Sequence, residues 1–138
     1  MTPFHARILA SDASFFDGSC EFMVVPCTDG AVGILAHHSN MIAAVVPGEL
    51  RFQPTDGPLR TAAVSSGLVK IEEGEVLLLV DTAERPEDID ANRAKRAADA
   101  AKEALLQKNS IQEYRSAQAN LARAISRLRV KEHWSSSN

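Results

Sequence analysis

At 138 residues, with 45% apolar and 24% charged side chains, the chain has the size and composition of one or two small globular domains. It contains no run of about 18 apolar residues, and its start, Met1-Thr2-Pro3-Phe4-His5-Ala6-Arg7, lacks the basic-then-apolar layout of a secretory signal; a cytosolic chain with no membrane span is expected. The net charge of −3 conceals a split: residues 1–84 carry four basic against eleven acidic side chains, and residues 85–138 eleven basic against seven acidic. Opposite fields of this kind point to two modules with different partners.

The first module, residues 1–84, reads as β-structure. Short apolar segments are punctuated by turn residues. Phe4 to Ala10 partly alternates; Phe22 to Pro26 follows Asp17-Gly18-Ser19; Val32 to Leu35 follows Thr28-Asp29-Gly30. Met41 to Val46 ends at Pro47-Gly48, and Leu50-Arg51-Phe52 ends at Pro54 to Pro58. Leu59 to Val64, Leu68 to Ile71 and Val76 to Val80 follow closely, with Glu72-Glu73-Gly74-Glu75 as a tight hairpin in which Gly74 takes positive φ. Strands this short, with a turn every 8–12 residues, predict an all-β sandwich or barrel.

The second module, residues 85–138, is helical. After Pro86 there is neither proline nor glycine, and alanine, arginine, lysine, glutamate and glutamine dominate. Pro86 suits a first turn, and Asp88 or Asp90 can cap it. Apolar positions Ile89, Ala94, Ala97, Ala98, Ala101, Ala104 and Leu105 fall at steps of three and four, as do Ile111, Tyr114, Ala117, Leu121, Ala124, Ile125 and Leu128. Lys108-Asn109-Ser110 interrupts the pattern and can cap the second helix. An antiparallel helix hairpin results, α+β overall with the sandwich, ahead of a low-complexity tail Ser135-Ser136-Ser137-Asn138. Its alanine face buries little area, at about 25 cal/mol per Å², so the hairpin is weakly held.

Three stretches resemble the epsilon subunit family of bacterial F-type ATP synthases. Gly30-Ala31-Val32-Gly33-Ile34-Leu35-Ala36-His37-His38, continuing to Val46-Pro47-Gly48-Glu49-Leu50, is similar to the family's "LGI" strand, Pro-Gly-His turn and "PG" step. Ala31 stands where an acidic residue is usual, and Ala36-His37 where Pro-Gly is usual, in a loop that lies near the c-ring in the family. Ser65-Ser66-Gly67-Leu68-Val69-Lys70-Ile71, with Val76 to Ala83, resembles "SGGFLEV" and the strand ending in "DTA". Ile89-Asp90-Ala91-Asn92-Arg93-Ala94 matches "I/L-D-x-x-R-A" at the start of the first C-terminal helix. With Leu121 to Val130, the resemblance spans nearly the whole chain.

The resemblance implies a non-catalytic central-stalk subunit. The sandwich would bind the γ subunit and the c-ring, with the Met41–Val45 edge as one candidate contact. The helices would meet the α/β catalytic subunits and inhibit ATP hydrolysis. The complex would place it peripherally on the cytoplasmic face of the cell membrane. No cofactor is required, but ATP is implied as a regulatory ligand at Glu84, Ile89, Asp90, Arg93, Ala94, Arg123 and Arg127. Arginine forks suit phosphate oxygens, and Arg123 and Arg127 are one helical turn apart. Ala100 stands where nucleotide-binding relatives carry another arginine. Arg115, Arg123, Arg127, Arg129 and Lys131 form a cationic strip suited to an acidic loop. The residue pattern alone also fits Asp90 as a helix cap with solvated arginines.

Other functions are weakly supported. A free-standing nucleotide-sensing hairpin adaptor is the main alternative. A thiol or metal enzyme built on Cys20, Cys27 and His37-His38 lacks a recognised ligand spacing, and no Walker loop or G-x-S-x-G is present. Nucleic-acid binding is not expected, since only Tyr114 and Trp134 accompany the basic strip.

Overall fold

The computed structural model describes residues 2–11, 13–107 and 109–137. Nine strands lie among them: β1 (Phe4–Ala10), β2 (Ala13–Cys27), β3 (Gly30–Ile34), β4 (Met41–Val45), β5 (Gly48–Pro54), β6 (Arg60–Val64), β7 (Gly67–Glu72), β8 (Glu75–Val80) and β9 (Ala83–Glu84). A 3₁₀ turn, Pro86–Asp88, leads to α1 (Ala91–Leu105) and α2 (Ile111–Ser137).

The strands form two layers. One runs β1-β8-β7-β4 and the other β3-β2-β5-β6-β9. The 15-residue β2 joins them, pairing with β1 through its first half and with β5 through its second. Alternation along each strand sends one set of side chains inward. Ile8, Val69, Ile71 and Leu78 from one layer meet Met23, Val25, Leu50 and Phe52 from the other in a single fully buried core. The Phe16 and Phe52 rings lie 5.0 Å apart, and the Arg60 guanidinium sits 5.1–5.6 Å over Phe15, Phe16 and Phe52. The β7–β8 hairpin turns through Glu73 and Gly74, both at positive φ, which a two-residue turn matching the strand twist requires.

The helix boundaries follow from capping. Asp90 is the N-cap of α1, its carboxylate accepting from the Arg93 N–H at 3.1 Å. Asp88 instead pairs with Arg85. At the start of α2, Ser110 Oγ accepts from the Glu113 N–H at 3.1 Å, and the Glu113 carboxylate accepts from the Ser110 N–H at 3.3 Å, a reciprocal capping box. Asn109 donates from its side chain to the Ala104 carbonyl, closing the end of α1. Lys108 lies outside the described residues.

Two helical expectations are corrected. Ile111, Tyr114 and Ile125 are 73%, 45% and 39% exposed, not part of a buried stripe. Of the expected stripe α2 buries Ala117 and Ala124, and outside it Ser126 and Val130, because it packs against both α1 and the β5–β6 side of the sandwich. Two contact faces displace the single stripe that periodicity predicts. Second, Ser135–Ser137 are not a tail but the last residues of α2; once a helix of this length exists, each further residue adds a bond without a new nucleus.

Candidate functional site

Two features of the fold are built for contact rather than for the core. The first is the seam between α2 and the sandwich. Ile89, Ala63 and Val130 form a small buried cluster there. Burying two aliphatic side chains contributes on the order of 3–6 kcal/mol before ordering costs. Polar contacts flank the cluster. Arg127 Nε donates to the Glu84 carboxylate at 2.6 Å, with both side chains about 30% exposed. Lys131 Nζ donates to the Pro86 carbonyl at 3.0 Å and lies 4.8 Å over the Trp134 ring. His133 Nδ1 is 3.0 Å from the Glu49 carboxylate, which is only 18% exposed. The hairpin is therefore folded back on the sandwich by a small apolar cluster and flanking polar contacts.

The sequence-predicted site residues divide at this seam. Glu84 and Arg127 are brought together directly. Arg123, held by the Asn120 side-chain oxygen, joins Arg127 at the lip of an open groove of about 880 Å³ between α1 and α2. Ala97, Ala100, Ala101 and Ala104 line its α1 side. Ile89 and Ala94 are buried. Asp90 and Arg93 sit at the exposed N-terminus of α1 and do not line the groove. Sequence reasoning missed Glu49, Asn120, Ser126, Lys131 and His133 as seam or groove residues. Ser126 carried no signal, since it lies off the stripe of Ala117, Leu121, Ala124 and Leu128.

The second feature is the outer face of the β1-β8-β7-β4 layer. Leu9 pairs with Leu79, Leu79 with Leu68 and Leu68 with Ala44. The next row is Arg7, Leu77, Lys70 and Ile42. All eight point away from the core, so four strands share an apolar patch whose second row has Arg7 at one end and Lys70 between Leu77 and Ile42. Ile42 is 69% exposed and Leu68 39%. His5, flanked by Asp17 at 2.6 Å and Glu75 at 3.6 Å, continues the polar rim. Of the Met41–Val45 edge, only Ile42 and Ala44 face outward; Val45 is buried in the core, with Met41 and Ala43 packed against it.

Neither cysteine is activated. Burial pushes the Cys20 thiol up to about 11, against a smaller opposing pull from Arg60. Burial also raises Cys27, aided by the charge of Asp29. Both thiols stay protonated at neutral pH and pack as small apolar groups. His37 takes positive φ in the turn, and His38 Nδ1 is 2.8 Å from the Ser39 carbonyl. Among the described residues no group of three or more His, Cys, Asp or Glu is placed to hold a metal ion, and no helix is long and apolar enough to cross a membrane.

The architecture is thus a β-sandwich with, among the described residues, one outer face uncovered and the β5–β6 side covered by α2 of the helix pair. Residues 3–86 match the family model for the β-sandwich domain of the ATP synthase delta/epsilon chain, and residues 87–132 that for its long α-helix domain. The ATP synthase epsilon chain of Ruminiclostridium cellulolyticum is 41% identical over 128 residues, covering 93% of this chain and 95% of the relative. That of Thioalkalivibrio sulfidiphilus is 38% identical over 130 residues, covering 94% and 92%. The chain belongs to the delta/epsilon chain family of the ATP synthases, as an epsilon chain. Its fold is similar to a chain in the cryo-EM structure of the Euglena gracilis mitochondrial ATP synthase OSCP/F1/c-ring, with TM-score 0.78 at 16% identity over 99% of this chain and 82% of that one. It is also similar to one in the Tetrahymena thermophila central stalk/c-ring, with TM-score 0.71 at 10% identity over 92% and 95%.

Proposed function

We propose that this epsilon chain is a non-catalytic central-stalk subunit. It docks on the γ subunit and the c-ring through its sandwich and restrains ATP hydrolysis through its helices. It is peripheral, held at the cytoplasmic face of the cell membrane only by the complex. The observation that carries this reading is the unequal treatment of the two sheet faces. The β5–β6 side has its own cover, α2. The β1-β8-β7-β4 side presents a row of leucines with none. A contiguous apolar patch with a polar rim is the surface expected of a protein interface. The wild-type chain is expected to co-purify with a γ–c-ring assembly; elution of the chain alone would refute the reading.

The helices supply the regulation. In the compact form Arg127, Lys131 and His133 are occupied by the sandwich. Swinging α2 away frees the strip of Arg115, Arg123, Arg127, Arg129 and Lys131 for acidic loops of the α/β catalytic subunits. ATP held by Arg123 and Arg127, beside Glu84, favours the compact form, because a ligand shifts an equilibrium by its differential affinity for the two states. Calorimetric titration of the isolated chain tests this. Saturable ATP binding is expected, weakened about tenfold or more in an Arg123→Ala, Arg127→Ala double variant. Equal binding by that variant would remove the arginines from the site.

A further inference from the structure

We infer that the cavity at the open edge of β6 binds a small monocarboxylate with an aromatic body, and that Arg60 grips its carboxylate. The cavity holds about 660 Å³, within the range of small-molecule sites. It shares no lining residue with the groove between α1 and α2. Its place follows from sheet pairing. β9 pairs with β6 only at Ala63 and Val64, so among the described residues the β6 edge at Arg60 and Thr61 has no strand beside it. Arg60 lies opposite Phe52 across β5 and β6 and faces the same way, at the mouth of the core.

The cation there lacks an anion. The Arg60 guanidinium is half-buried and sits over the rings of Phe15, Phe16 and Phe52. Those rings attract its charge but offer no oxygen to its five N–H donors. Among the described residues Arg60 has neither a carboxylate partner nor a hydrogen-bond acceptor. A polar group partly removed from water is costly until an acceptor reaches it. The other lining cations are engaged: Arg85 with Asp88 at 3.1 Å, and His133 with Glu49 at 3.0 Å. One guanidinium fork matches one carboxylate, oxygen for nitrogen. Glu87 also lines the cavity. With Asp88 and Glu49 behind the engaged cations, further negative charge on a ligand is repelled, which selects a monoanion over a phosphate chain. The rest of the wall is apolar: Pro58, Leu59, Pro86 and Trp134. Leu59 is 49% exposed, so it has area for a ligand to cover. A bare carboxylate would leave that wall wet, and an aromatic body covers it.

Trp134 is the single tryptophan of the chain and stands in the cavity wall, so its emission reports occupancy. The test titrates the full chain with 3-phenylpropionate, with 3-phenylpropanol, which keeps the body and lacks the charge, and with acetate, which keeps the charge and lacks the body. The acid is expected to change the emission saturably, with Kd of about 1 mM or below. The alcohol and acetate are expected to bind at least about tenfold more weakly. Excess ATP is expected not to displace the acid. Arg60→Gln is expected to weaken the acid about tenfold or more. Arg60→Lys, which keeps a charge over the rings and loses the fork, is expected to weaken it by a smaller factor. Far-UV circular dichroism of both variants is expected to match that of the wild type; if Arg60→Gln fails to fold, the comparison of acid with alcohol decides alone. Equal binding of acid and alcohol, full affinity in a folded Arg60→Gln variant, displacement by ATP, or no saturable change up to about 10 mM would each overturn the inference.

Discussion

Gly67→Ala is expected to destabilise the isolated chain by more than about 3 kcal/mol. Gly67 opens β7 opposite Val80 of β8. A Cβ built there lies 1.8 Å from the Leu79 carbonyl oxygen and 2.8 Å from the Val80 Cα. These are backbone atoms of a paired strand, so no rotamer change relieves the clash. The two strands must part, and with them goes the register that places Val69, Leu78 and Val80 in the core. Gly33→Ala is the matched control. Its Cβ meets nothing within 4 Å on the exposed edge strand β3, so its effect is expected within about 0.5 kcal/mol. Urea denaturation followed by far-UV circular dichroism measures both. Equal midpoints for the two variants would mean that the β7–β8 pairing is looser than described.

Leu68→Asp carries the second large effect, on docking and not on folding. Leu68 lies in the middle of the bare face, between Leu79 and Ala44, and is 39% exposed in the free chain. A charge there is solvated while the chain is alone, and stability should change by no more than about 1 kcal/mol. Once a partner covers the face, the same carboxylate is buried without a counter-charge. Central apolar anchors of interfaces commonly account for 2–4 kcal/mol, so affinity for the γ–c-ring assembly should fall about 100- to 1,000-fold. Arg51→Ala, on the exposed side of β5 in the opposite layer, should leave affinity within about twofold. Surface plasmon resonance against immobilised assembly measures both variants. Loss with Arg51→Ala and retention with Leu68→Asp would move the docking surface to the other layer.

Local chemistry in this chain is readable from its sequence, and long-range chemistry much less so. The strand breaks at Pro47-Gly48 and Glu73-Gly74 and the caps at Asp90 and Ser110 each depend on residues within four positions of one another. The run Val76-Leu77-Leu78-Leu79-Val80 also carries a signal that alternation alone would miss. A strand apolar on both faces expects cover on both, and here the core takes Val76, Leu78 and Val80 while Leu77 and Leu79 remain for the outer patch. The seam left no such trace. Glu84 and Arg127 are 43 positions apart and Glu49 and His133 are 84 apart. Ion pairs of that separation follow only from how α2 lies on β5 and β6. The same packing explains why Ile111, Tyr114 and Ile125 are exposed: α2 serves two neighbours, and small residues at Ala117, Ala124 and Ser126 mark those contacts better than large ones do. Of the candidate site, the pairing of arginines one turn apart and the capping role of Asp90 were legible, whereas the occupation of Glu84 by Arg127 was not.

The central claim is that docking belongs to the sandwich and restraint of hydrolysis to the hairpin. It is tested most directly by measuring ATP hydrolysis of a reconstituted catalytic sector with the full chain and with residues 1–86 alone. The main core is built entirely from residues between Phe4 and Val80, so the shortened chain retains it. Both forms are expected to bind, and only the full chain to slow hydrolysis. Equal inhibition by the shortened chain would contradict the account and assign the restraint to the sandwich.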